Sequence, residues 1–120
     1  MRFFPLVKEA EDVKVLQAEY KAGRAVGKVQ LGETYFYFKD GLKTYYIAYE
    51  EIQRVFRRVM LVQTKMCCGK GNLEVENLVI CGADGELAQI QLPGARAGKV
   101  LLEEIAKKAP QVQIGRPTEA

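Results

Sequence analysis

Asp40-Gly41 stands between two runs rich in aromatic and β-branched residues, Thr-Tyr-Phe-Tyr-Phe-Lys over 34–39 and Leu-Lys-Thr-Tyr-Tyr-Ile-Ala-Tyr over 42–49. A two-residue Asp-Gly loop matches the twist of paired strands, because its positions need the positive φ that Gly adopts freely. The pattern predicts an antiparallel hairpin over 34–49, with cross-strand aromatic contacts contributing about 0.2–1 kcal/mol each. Alternation puts Phe36 and Phe38 on one face and Tyr35 and Tyr37 on the other. Phe inward and Tyr outward is the natural assignment, which makes the tyrosine face either a binding surface or a sheet face partly covered by an N-terminal helix.

The rest of the chain is read around this hairpin. Residues 8–22 carry Ala10, Val13, Leu16 and Tyr20 at helical spacing, and Gly23 is a natural stop, where a left-handed conformation costs nothing. Residues 24–31 alternate as one strand. Residues 52–65 fit neither period cleanly. They predict one long strand with a bulge near Arg57-Arg58, or two strands with a sharp bend, and a helix over 50–60 competes. Glycines and Asn make 67–72 a loop. Residues 73–81 and 86–92 are further strands around the turn at 82–85. Residues 95–109 form an amphipathic helix with Gly98, Leu101, Leu102, Ile105 and Ala109 on one face, and Lys107 and Lys108 at the negative end of its dipole. Tight connections without crossover helices predict antiparallel pairing.

At 120 residues, one domain with one core is expected. The expected architecture is α+β and mainly β: a bent antiparallel sheet or partly open barrel of six or seven strands, capped by the C-terminal helix. The expected division is an N-terminal helical extension over 1–23, the β-barrel with its helix over 24–110, and a flexible tail over 111–120.

The order of elements resembles the pleckstrin-homology-like fold. The stretch Glu-Thr-Tyr-Phe-Tyr-Phe-Lys-Asp-Gly over 33–41, followed by Thr-Tyr-Tyr-Ile-Ala-Tyr-Glu-Glu-Ile over 44–52, is similar to that of bacterial pleckstrin-homology-like proteins. In those proteins an aromatic hairpin leads through an Ile-Pro-Tyr-x-Glu/Asp-Ile turn into the next strand. Here Ala48 replaces the proline, and Tyr49, Glu51 and Ile52 hold the matching places. The resemblance covers roughly 24–109. It implies either phosphoinositide binding or docking of peptides and neighbouring copies. Lipid-binding members have a basic loop between the first two strands. The corresponding Leu31-Gly32-Glu33-Thr34 is short and acidic, so phosphoinositide binding is not expected.

Composition removes several chemistries. Histidine and serine are both absent, which excludes Ser-His-Asp and Cys-His nucleophile systems. No carboxylate pair stands out, so no enzyme, catalytic residue, cofactor or metal site is expected. The three cysteines, Cys67, Cys68 and Cys81, lack the number and spacing of a zinc site and read as free thiols. A metal- or redox-active thiol is the competing reading. No apolar run is long enough for a membrane span. With no export signal at its start, the chain is expected to be cytoplasmic.

The remaining candidates are surfaces. Arg54, Arg57, Arg58, Lys65 and Lys70 follow one another with no acidic residue between them. They form either a patch for an acidic partner or nucleic acid, with Phe56 available for stacking, or a solvated edge strand whose charges pair with Glu74, Glu76, Asp84 or Glu86. The expected binding residues are Tyr35, Tyr37, Tyr45, Arg54, Phe56, Arg57 and Arg58. The expected function is a non-catalytic interaction or assembly module for a protein partner or another copy. A small nucleic-acid-binding domain using the run from Arg54 to Lys70 is the alternative.

Overall fold

The computed structural model describes residues 3–8, 12–66 and 69–115. The readings for Ala10, Cys67, Cys68 and residues 116–120 lie outside the described residues. In chain order the elements are β1 (Phe3–Pro5), α1 (Val13–Ala22), β2 (Arg24–Val26), β3 (Val29–Leu31), β4 (Tyr35–Asp40) and β5 (Lys43–Ala48). A 3-10 turn at Tyr49–Glu51 leads to β6 (Arg54–Met66), β7 (Gly69–Gly82), β8 (Gly85–Leu92), α2 (Ala95–Lys108) and β9 (Gln113–Ile114). The fold is mainly β, of the α+β class.

Two mixed sheets replace the expected single antiparallel one. Their strand orders are β1-β5-β4-β3-β2 and β8-β7-β6-β9. Among the described residues no strand pairing joins them into a closed barrel. Each sheet gains a parallel edge from one end of the chain. Phe3–Pro5 lie along Thr44–Tyr46, and Gln113–Ile114 lie along Arg54–Val55. Both returns run through a helix, which is what a parallel pairing needs. Residues 111–115, expected to begin a tail, are therefore fixed to the second sheet. Val112 is buried, and the Gly115 N–H donates to the Val55 oxygen at 2.9 Å.

The predicted hairpin forms. β4 and β5 pair antiparallel from Tyr35 with Ala48 to Asp40 with Lys43, so the two-residue loop is Gly41-Leu42 and not the expected Asp40-Gly41: Asp40 stays in the strand, and Gly41 alone supplies the positive φ, at +63°. The single strand expected over 24–31 is instead the β2–β3 hairpin, turning at Gly27 with φ +59°. A helix does not form over 50–60, and β6 is one unbroken strand. Its register with β7 holds from Arg54 with Cys81 to Met66 with Gly69, and the irregularity falls instead between Ile80 and Cys81, against β8. The loop expected over 67–72 is shortened accordingly, since 69–72 already belong to β7.

The main core draws Val29, Phe36, Phe38 and Ile47 from the first sheet, Val55, Leu78, Ile80 and Ile90 from the second, and Leu101 and Ile105 from α2. Of the predicted apolar face, Gly98, Leu101, Ile105 and Ala109 are buried and Leu102 is half-buried against the core. A second cluster of Leu16, Tyr37 and Tyr46 lies where α1 covers the other face of the first sheet.

Candidate interaction surface

The expected aromatic surface is not a surface. Alternation separates Phe36 and Phe38 from Tyr35 and Tyr37 as read, yet both faces are covered. Tyr37 is fully buried, and its hydroxyl donates to the Leu16 main-chain oxygen at 3.3 Å. Its ring packs edge-on against Phe3 and Tyr20. Burial, and then the charge of Glu19, push its phenol well above the ordinary range. Tyr35 is half-buried beside Tyr46. Tyr45 is on the opposite face from Tyr35 and Tyr37, stacked on Phe38 at 5.3 Å. The three tyrosines therefore share no exposed patch.

Polar ties hold α1 in place over this sheet. Asp12 caps its first turn by accepting from the Lys14 N–H. One carboxylate oxygen of Glu19 accepts from the main-chain N–H groups of Thr34 and Tyr35, at 3.0 and 2.7 Å. The Gln30 amide donates to the Tyr20 and Gly23 oxygens, both at 2.8 Å. Gly23 ends α1 in an extended conformation (φ −74°), not the left-handed one expected. Glycine is required there by close approach, because a Cβ would lie 2.5 Å from the Leu31 oxygen.

Two cations of the basic run, Arg57 and Arg58, are paired with carboxylates within the fold. The Arg57 guanidinium makes a two-pronged contact with Glu76, at 2.7 and 3.1 Å. That pair holds the Glu76 carboxyl below the usual carboxylate range. Arg58 pairs with Glu86 and donates to Gln89 at 2.8 Å, and its guanidinium lies 5.5 Å from the Phe56 ring centre. Arg54 donates to the Gly115 oxygen at 2.9 Å and to the Gln113 side chain, clamping β9. Phe56 is buried and presents no stacking platform. Cys81 is half-buried. Its thiol is pushed up by burial and then by Glu86, against the opposing pull of Arg54 and Arg58.

The structure instead brings forward Val59, Met60 and Leu61, consecutive apolar residues of β6 that are not among the expected binding residues. β9 flanks β6 only at Arg54–Val55, and β8 flanks β7 only from Glu76 onward. Beyond those points β6 and β7 continue to Met66 and Gly69 as a two-stranded ribbon. Val59, Met60 and Leu61 lie at its base, 45%, 43% and 69% exposed. Val59 and Leu61 fall on one face and Met60 on the other. The signal was present in the consecutive apolar letters, but their exposure depends on where the neighbouring strands stop.

Comparison of the chain with protein-family models, with curated proteins and with solved structures returns no match.

Proposed function

We propose that the chain is a non-catalytic interaction and assembly module of the pleckstrin-homology-like fold, and that its docking element is the β6–β7 ribbon. The fold reading is supported by the Asp-Gly aromatic hairpin, the run of antiparallel strands and the amphipathic α2, whose apolar face enters the core. The docking reading is carried by one observation, the exposed run Val59-Met60-Leu61 on a strand whose side away from β7 has no described strand beside it past Val55. A two-stranded ribbon is marginally stable in water and gains from a further strand or a covering face. Val59 and Leu61 add exposed apolar area on one face of that edge, of the kind that marks contact sites.

Two competing partners are disfavoured by the same geometry. Phosphoinositide binding needs free donors and cations at the 31–34 connection, where the Glu19 carboxylate already occupies two main-chain amides. Nucleic-acid binding needs unpaired cations, whereas Arg57 and Arg58 are matched by Glu76 and Glu86. No described helix is long and apolar enough to cross a membrane.

The test places a photoreactive residue at Leu61 and, separately, at Leu42, an isolated and fully exposed leucine at the β4–β5 turn. Protein adducts are expected to concentrate at position 61. Equal yields at the two positions, or none at 61, would overturn the proposal.

A further inference from the structure

We infer that the ribbon's partner is a second copy of this chain, joined edge to edge through antiparallel pairing of β6 with β6 about a two-fold axis at Met60; this rests on the reading of the ribbon as the docking element. The direction of the main-chain groups makes the edge available. The Gln113 and Gly115 N–H groups donate to the Gln53 and Val55 oxygens. The odd-numbered residues of β6 therefore turn their main-chain groups away from β7. Past Val55 no described strand lies along that side. Among the described residues, Arg57, Val59, Leu61 and Gln63 are thus a row of N–H and C=O groups with no strand beside them, a template for another strand.

Charge and length select the register. Antiparallel pairing must set odd residues against odd ones. An axis at Arg58 would oppose Arg58 to itself, and an axis at Leu61 would oppose Arg57 to Lys65. An axis at Val59 avoids like charges but leaves only 57–61 to pair. An axis at Met60 sets Val59 against Leu61, Arg57 against Gln63 and Arg58 against Val62, with no cation facing a cation. It also uses residues 57–63 in full and stops before the stretch that β9 covers. The ribbon's other edge, Gly-Lys-Gly-Asn-Leu-Glu-Val over 69–75, carries glycine and charge and is a poorer template. An isologous pairing of this kind closes on itself and does not propagate.

The test uses the full chain with Cys67, Cys68 and Cys81 changed to alanine. Met60→Cys is then introduced and, in a separate chain, Leu42→Cys. In the proposed register two copies of residue 60 form a non-hydrogen-bonded pair with Cα atoms about 4.5 Å apart, within disulfide reach. Under mild oxidant Met60→Cys is expected to give a covalent dimer and Leu42→Cys none. By light scattering, Leu61→Asp in the wild-type background is expected to weaken self-association at least about tenfold. A wild-type chain that stays monomeric at all accessible concentrations overturns the second copy alone, and the ribbon still stands or falls by the photoreactive test. A dimer that survives Leu61→Asp and does not cross-link at residue 60 overturns both.

Discussion

The Tyr37 hydroxyl donates to the main-chain oxygen of Leu16, joining the middle of β4 to the middle of α1 across 21 residues of sequence. Leu16, Tyr37 and Tyr46 form the buried cluster on this side of the sheet. The contact turns what reads as an outward tyrosine face into interior. Tyr37→Phe removes one hydrogen bond and is expected to cost about 0.5–1.5 kcal/mol. Tyr37→Ala empties the cluster and is expected to cost about 3–5 kcal/mol. Urea unfolding of both variants checks the ordering. A negligible cost for Tyr37→Ala would place the ring outside the core.

Gly23 lies against β3 so closely that a methyl group has no room. The obstructing atom is a main-chain oxygen, which cannot swing aside. Gly23→Ala is therefore expected to destabilise the chain by about 1–3 kcal/mol, although its φ suits any residue. Thermal unfolding reads this. A stabilised variant, as simple chain-entropy reasoning would give, would contradict the close approach.

The pairing of Glu76 with Arg57 makes stability depend on acid. The folded chain holds the Glu76 carboxyl below its ordinary value of 4.5. The contribution of the pair is therefore fully present above that pH and is lost as pH falls through the lowered value. Glu86, held down by Arg58, acts in the same direction. Urea midpoints between pH 7 and 3 should fall below about pH 4.5. Glu76→Gln should flatten that fall in part, with Glu86 supplying the remainder. An unchanged slope in the variant would show that the ion pair does not form in solution.

Local chemistry made much of this fold legible. Gly41 locates its hairpin to within one residue because the turn needs a position that accepts positive φ, and the α2 stripe locates itself because Leu101 and Ile105 sit one turn apart. The parallel strands at the two chain ends were not legible. Phe3–Pro5 and Gln113–Ile114 are too short to show a period, and only tertiary pairing defines them. Gly27 read as one letter in an alternating strand, whereas its positive φ splits that strand into a hairpin. The candidate site shifted for a similar reason. Alternation assigns Tyr37 to a face correctly but does not say that α1 covers that face. It places Arg57 and Arg58 on β6 and offers Glu76 and Glu86 as cross-strand partners, but register alone decides for that pairing over an open basic patch. The exposure of Val59, Met60 and Leu61 is not legible, because hydrophobicity alone does not register where β8 and β9 end.

Leu61 is exposed and touches no described core cluster, so its removal bears on association more than on folding. Leu61→Asp is expected to change the stability of the isolated chain by no more than about 0.5 kcal/mol, while self-association weakens. Chemical unfolding at low protein concentration, beside light scattering at high concentration, separates the two. A large loss of stability in dilute solution would return Leu61 to the core.

Amide hydrogen exchange along β6 tests the edge pairing most directly, because the strand carries its own control. The Met60 N–H points toward β7 and should exchange slowly at every protein concentration. The Val59 and Leu61 N–H groups point to the open edge. The account predicts that these two become protected as concentration rises and lose that protection on dilution or in Leu61→Asp. Fast, concentration-independent exchange at Val59 and Leu61, with Met60 still protected, would contradict it.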